Sequence, residues 1–370
     1  MTASTEQTQP SLGAALDAAG GRPAGFDYLR LGLALSVVLV HSFTASVAPS
    51  DEARLWAHPL WGSAAMALLP MFFALSGFLV AGSMARTPSV GRFLGLRALR
   101  IYPALAVEVL LTALILGPFF TTLPFDAYLS DPGFARYLVN VTGHVTITLP
   151  GVFETNPRPF EANAQLWTVP FELYCYIALA LLMLCGAARD PRVLFWGAAL
   201  VFALVLLRIG ARTDWRFPDY RAPVAGWMLV VSFLLGVGLY QLRHAVPAGR
   251  WAILAAGVAT LAIFAWCPGG RILGCLPASY LAVALGTCNP ARGWVVAGAD
   301  YSYGIFLYHF AILQAVIALT GGGLGWPALF VLWLGPTALC AALSWHLVER
   351  PILSRKSAIL TWRPRWRLRA

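Results

Sequence analysis

The sequence predicts an all-α polytopic membrane protein of about ten transmembrane helices, and three observations carry that expectation. Of the 370 residues, 59% are hydrophobic and 11% charged, whereas soluble globular chains carry roughly 25% charged residues. Apolar runs of the roughly 20 residues that a bilayer-spanning helix needs recur from Tyr28 to near the C-terminus. The basic residues behind the formal charge of +10 are scattered between those runs and densest over 350–369. That distribution marks topology and contact with anionic lipid headgroups, and it argues against nucleic acid as a partner.

Taken in order, the expected spans cover 28–47, 60–84, 101–121, 166–186, 193–210, 223–242, 251–267, 272–288, 301–320 and 326–347. The fifth and eighth are short. An even number returns the chain to its starting side, and Lys and Arg are more frequent on the side holding Arg22, Arg86, Arg92, Arg97, Arg100 and the tail. The positive-inside rule then puts both termini in the cytoplasm. Residues 1–25 read as a disordered cytoplasmic tail, since the apolar run after them is too long for a signal-peptide core. Residues 26–351 form one membrane domain, and 352–370 form a basic cytoplasmic tail.

The longest connection, 122–165, is extracytoplasmic in this topology and carries Asp126, Asp131, Glu154 and Glu161 among several prolines. Loops this long are often functional. Its stretch 139–149 alternates apolar and polar residues, which fits a short strand, an interfacial piece or a re-entrant segment. The six cysteines lack CxxC spacing and read as small packing residues, with Cys267 and Cys275 the one pair able to meet outside the membrane. There is no HExxH, P-loop or carboxylate cluster with ligand spacing, so no metal is expected.

Ionisable side chains inside spans are costly unless paired or hydrated, which makes each a functional candidate. In the first span, Arg30 and His41 are eleven residues apart, so they project from one helix face roughly 16 Å apart, with Asp27 one turn below Arg30. Taken singly, Arg30 also reads as a snorkelling residue and His41 as a packing histidine. The fourth span opens with Asn163, Gln165 and Trp167 at the outer interface and carries Glu172 about 9 Å below. His41 lies at about the same depth, which permits a His41–Glu172 hydrogen bond, with Glu108 as a competitor. Arg97 and Arg100, spaced as RxxR, are neighbours on a helix and can grip phosphate oxygens, although topology alone also explains such a cluster. The ninth span begins with Tyr301, Ser302, Tyr303 and Gly304 and carries Tyr308 and His309, the latter about 12 Å in. The tenth ends in His346, Glu349, Arg350 and Pro351.

These pieces together resemble the integral-membrane acyltransferase-3 family, whose members O-acylate bacterial surface glycans and some small molecules. The matching segments are FDYLRLGLALSVVLVHS, PMFFALSGFLV, the RxxR followed by Ile101-Tyr102-Pro103, LWTVPFE, YSYGIFLYH and HLVERP, in family order from Asp27 to Pro351. The resemblance implies a stand-alone acyltransferase of the bacterial inner membrane. It would take an acyl group, usually acetyl, from cytoplasmic acyl-CoA and deliver it to a hydroxyl of a glycan or lipid-linked sugar, such as O-antigen lipopolysaccharide or exopolysaccharide, outside.

A sugar hydroxyl needs a general base poised near neutral pH, which suits histidine. The expected catalytic pair is therefore His41, as base or transient acyl carrier, with Glu172 supporting it. Arg30, Arg97 and Arg100 are expected to meet the coenzyme A phosphates. Asn163, Gln165, Trp167, Ser302, Tyr308 and His309 are expected to line the substrate pocket. The competing class is a proton-coupled transporter or flippase, which also uses intramembrane His, Arg and Glu. Acceptor identity and oligomeric state are open at this stage.

Overall fold

The structure, a computed structural model, describes residues 10–47, 49–87, 89–186, 190–213, 224–267 and 270–357. Among them the chain is helical, with three isolated β-bridges and no strand. Residues 1–9 and 358–370, which hold much of the two expected tails, lie outside the described residues.

The chain enters through α1 (Leu12–Ala18), capped where Ser11 Oγ accepts from the Ala14 N–H. This corrects the expectation of disorder across 1–25 for its second half. Leu12 is fully buried, and the amides of Leu12 and Gly13 donate to the carbonyls of Val246 and Arg243. One buried leucine and backbone pairing to a distant loop order a segment whose composition looks featureless.

The first long helix, α2 (Ala24–Thr44), is followed by α3 (Pro49–Ala57) and α4 (Pro59–Ala85). Next come α5 (Val90–Leu111), a π turn at Thr112–Leu116 and α6 (Gly117–Phe120), one apolar rod of 31 residues. Helix α5 begins at Val90, eleven residues before the expected span, so the RxxR arginines ride on the same helix as that span. Arg100 is about 15 Å along it. The connection to the next long helix holds α7 (Phe125–Ser130) and α8 (Pro132–Leu138), then 3₁₀ turns at Val139–Thr142 and Ala164–Thr168, the latter running into α9 (Val169–Leu184).

The stretch 139–149 is thus a 3₁₀ turn and irregular chain. Asn140 holds it by donating to the Thr146 carbonyl and accepting the Thr146 N–H, both at 2.7 Å. Tyr102 Oη donates to the Thr142 carbonyl, which tucks the loop back against the middle of α5.

The remaining helices are α10 (Pro191–Thr213), α11 (Gly226–Gln241), α12 (Arg250–Trp266), α13 (Gly270–Leu273), α14 (Cys275–Thr287), α15 (Ser302–Leu319) and α16 (Trp326–Ser344). A second π turn, Trp345–Glu349, carries α16 into α17 (Arg350–Ser354). Every expected span coincides with a helix. Among the described residues, seven helices are long and apolar enough to cross a membrane; α11, α12 and the apolar part of α10 (Arg192–Val201) are shorter. Large apolar side chains such as Ile115, Leu181, Leu204, Val258, Val331 and Leu339 face outward, a surface untenable in water and natural in lipid.

Close helix contacts rest on small residues, as membrane packing favours. A Cβ at Gly77 of α4 would lie 2.0 Å from the Phe233 carbonyl oxygen of α11, and one at Gly236 of α11 would lie 2.0 Å from that of Ala74. Helix α15 lies against α2 and α16, where the indole N–H of Trp333 donates to Ser42 Oγ at 3.0 Å. That packing brings the last turn of α2 against the middle of α15. All six cysteines, Cys267 and Cys275 included, are free thiols.

Candidate active site

His41, in the last turn of α2, meets His309 of α15: Nδ1 of His41 lies 2.7 Å from Nε2 of His309. The rings are within 10° of parallel and their centroids are 5.0 Å apart, as an end-to-end, in-plane hydrogen bond requires. The other nitrogen of His309, Nδ1, faces the carbonyl oxygens of Phe306 at 2.9 Å and Ile305 at 3.1 Å. Carbonyls only accept, so His309 carries its hydrogen on Nδ1 and its Nε2 is a lone pair. His41 therefore donates from Nδ1, which leaves its own Nε2 as a lone pair. His309 is fully buried and His41 partly so, with Phe310 and Trp333 packed around them.

His41 lines a cavity of about 520 Å³. Its lining includes the charged Glu52 of α3 and Arg158 and Glu161 of the long loop, and the aromatic Trp56, Trp167 and Phe171. Arg158 donates to the Thr44 carbonyl and the Glu52 carboxylate, and its guanidinium is 3.6 Å from Glu161. Gln314 of α15 fastens the same loop, donating from Nε2 to the Arg158 and Glu161 carbonyls at 2.7 Å each. The long loop is thus pinned to the two helices that carry the histidines.

A second cavity of about 280 Å³ is lined by Arg30, Arg97, Arg100, Lys356, Glu172 and Tyr176, among others. Asp300 sits between Arg30 and Arg100, at 2.7 and 2.5 Å, and accepts from Ser302 Oγ at 2.6 Å. The other arm of Arg100 reaches Glu349 at 3.2 Å, presented by the second π turn and held by Ser344 Oγ. Burial alone would raise the Asp300 carboxyl, but the Arg100 and Arg30 guanidiniums outweigh it and hold the group below the usual carboxylate range. Among the described residues Arg97 has no carboxylate partner: it donates to Ser83 Oγ at 3.3 Å, lies over the Tyr176 ring at 5.9 Å and leaves a buried Nε without a hydrogen bond. The two cavities share three wall residues, Leu69, Thr168 and Phe306.

Of the expected site residues, the structure brings together His41 with His309 and Arg30 with Arg100. It does not form the expected His41–Glu172 hydrogen bond. Glu172 accepts instead from Tyr176 Oη, one turn on in the same helix, and faces the second cavity. Equal depth does not give equal bearing around the helix axis. Gln165 and Trp167 line the His41 cavity, and Ser302 lines the other.

Asn163 is fully buried and lines neither cavity: its amide donates to Glu108 and to Tyr137 Oη, fixing the end of the long loop beside the first π turn. Tyr308 is buried in the core. Sequence reasoning missed Asp300, Glu52, Arg158, Lys356 and Glu349 as site residues. Asp300 had one available signal, its position directly before the Tyr301-Ser302-Tyr303-Gly304 run.

A family model described as an acyltransferase domain matches residues 24–346. The chain belongs to the acyltransferase-3 family. This acyltransferase is 26% identical over 352 residues to the O-acetyl transferase of Shigella phage Sf6, across 91% of this chain and 98% of that protein. It is 27% identical over 393 residues to Nodulation protein 10 of Rhizobium leguminosarum bv. viciae, across 95% of this chain and 99% of that protein. No solved structure matches it. The family match covers the histidine pair and most of the lining of both cavities, and the protein is a multi-pass membrane acyltransferase.

Proposed function

We propose that this acyltransferase moves an acetyl group from acetyl-CoA, entering on the cytoplasmic side, to a hydroxyl of a glycan presented on the other face of the bacterial inner membrane, with ten spans and both termini cytoplasmic. The likeness to an O-acetyl transferase supports the acyl group and the hydroxyl acceptor. The observation that carries the reading is the pair of cavities on either side of Leu69, Thr168 and Phe306, with His41 lining one and the arginines the other.

The acceptor hydroxyl approaches Nε2 of His41, which takes its proton as the oxygen attacks the thioester carbonyl carbon. The positive charge formed on His41 is stabilised through its Nδ1–H by the lone pair on Nε2 of His309, the part an acid plays in a triad. Collapse of the tetrahedral intermediate breaks the carbon–sulfur bond, and the thiolate leaves with the proton from His41. The products are the ester and the free thiol. On the donor side, Arg97 and Lys356 meet the coenzyme A phosphates, while Arg30 and Arg100, held by Asp300 and Glu349, form the rigid floor of that cavity. Glu172 and Tyr176 line the path of the thioester arm.

The test uses membrane vesicles containing the full chain, labelled acetyl-CoA and surface glycan from a strain lacking the gene. Label should pass to the glycan in a form that mild base releases, and His41→Ala should stop it. Equal transfer by His41→Ala at equal protein would refute the mechanism, and absence of base-labile label would refute the reaction.

A further inference from the structure

We infer that the hydroxyl of Thr168 donates a hydrogen bond to the thioester carbonyl oxygen as that oxygen becomes an oxyanion, which makes Thr168 a catalytic residue beside His41. The inference rests on the acyl-transfer reading above and adds the group that stabilises the developing negative charge.

Leu69 of α4, Thr168 at the start of α9 and Phe306 of α15 each line both cavities. The arginines that meet the donor lie on one side of these three residues and the base on the other, so the acyl carbon is attacked beside them. The histidine pair is close by. Phe306 precedes His309 by three residues, about 4.5 Å of helical rise, and its carbonyl accepts from His309 Nδ1 at 2.9 Å. Leu69 and Phe306 have apolar side chains and offer nothing to an oxygen that is gaining charge. Thr168 is the one of the three whose side chain has a hydrogen to give.

That hydrogen is loosely held. Oγ1 of Thr168 donates to the Gln165 carbonyl at 3.4 Å, beyond the roughly 2.5–3.0 Å of a well-made O–H···O bond, so little is lost when it turns to a better acceptor. Two neighbouring donors are already committed. The Gln165 amide gives to the Leu307 carbonyl at 2.6 Å and to Asn163 Oδ1 at 3.2 Å, and Tyr176 Oη gives to Glu172. Thr168 is also firmly placed: it closes the 3₁₀ turn Ala164–Thr168, stands two residues before Pro170 in the first turn of α9, and is 5% exposed. A donor fixed before the reaction costs no reorganisation when charge appears.

The step balances without a further reactant. The acceptor oxygen bonds to the carbonyl carbon while its proton passes to Nε2 of His41. The carbonyl π pair moves onto oxygen, where the Thr168 O–H meets it and keeps its own proton. The pair then returns as the carbon–sulfur bond breaks, and the thiolate takes the proton from His41.

The experiment uses the full chain in detergent with labelled acetyl-CoA and surface glycan from a strain lacking the gene. Thr168→Val keeps the shape and loses the hydroxyl; its kcat should fall by about 10² to 10³, as when one oxyanion donor is removed, with both KM values and the Tm little changed. Thr168→Ser restores the donor and should retain most of the wild-type kcat. A second readout replaces the carbonyl oxygen of acetyl-CoA by sulfur, a weak hydrogen-bond acceptor. The wild-type protein should prefer the thioester over this dithioester by more than the uncatalysed transfer does, and Thr168→Val should lose that extra preference.

Wild-type kcat in Thr168→Val, or a loss confined to KM, overturns the inference. So does a Thr168→Ser variant as slow as Thr168→Val at equal Tm. A wild-type preference for the thioester no greater than the uncatalysed one overturns it without recourse to any variant. If His41→Ala is inactive while Thr168→Val is fully active, the role of Thr168 alone is rejected, whereas a wild-type protein that consumes no acetyl-CoA with glycan present rejects the acyl-transfer reading itself.

Discussion

Nδ1 of His41 and Nε2 of His309, 268 residues apart in sequence, lie 2.7 Å apart across two helices. Because Nδ1 of His309 is committed to two backbone carbonyls, the pair has one consistent hydrogen pattern in its neutral state, and it leaves the outward nitrogen of His41 basic.

His309→Phe should lower kcat by about 10² to 10⁴, the range seen when the group orienting a catalytic histidine is lost, with smaller change in either KM. Residues acting as one unit are not additive, so the double variant with His41→Ala should be no slower than His41→Ala alone. Initial rates of labelled acetyl transfer in membranes matched for protein decide this. A full additional loss in the double variant would show independent roles.

Glu172→Gln should raise the KM for acetyl-CoA several-fold and spare the kcat dependence on pH, since Glu172 stands with Tyr176 on the arginine-lined cavity and not beside His41. A shift of the pH–kcat profile comparable with that of His309→Phe would restore Glu172 as the histidine's partner.

Removing the anion between Arg30 and Arg100 should cost stability, because it strands two partly buried guanidiniums beside each other. Asp300→Ala should therefore lower the Tm in detergent markedly, whereas Arg97→Gln should leave it almost unchanged and raise the KM for acetyl-CoA. The Asp300 carboxyl is depressed in the folded state, so its contribution is complete above the ordinary carboxylate pKa and fades as pH falls through the lower folded value. The Tm gap between wild type and Asp300→Asn should stay constant from neutral pH down to about pH 5 and narrow only below it.

Gly77→Ala and Gly236→Ala should each destabilise the α4–α11 contact by about 1–3 kcal/mol or more, since the added carbon meets backbone that cannot rotate away. Gly257→Ala, where the added carbon meets nothing within 4 Å, is the control and should hold its Tm. Yields and melting curves of the three variants check this.

The helical body was legible because bilayer thickness imposes a length on apolar runs, and every expected span is a helix. The helix ends were less so. The charges at 92, 97 and 100 put the start of the third span at 101, yet α5 begins at Val90 and carries all three arginines, with Arg100 satisfied by Asp300 and Glu349 rather than by water. His41 and Arg30 were recognisable from the 3.6-residue period of one helix. Their partners were not, because depth along an axis can be counted from sequence while the bearing of each side chain around that axis depends on how neighbouring helices pack. Glu172, at the right depth for His41, points to Tyr176 for that reason.

By itself, the sequence determined the membrane setting, the positions of the helices, the family motifs and the ionisable side chains costly enough to demand a purpose. Tertiary structure alone decided who meets whom: that His309 meets His41, that Asp300 pairs with Arg30 and Arg100, that Glu349 takes the other arm of Arg100, and that Glu172 turns to Tyr176. The physical reason is that hydrophobicity and helical period act along one chain segment, whereas these pairings need the packing of small residues between helices far apart in sequence.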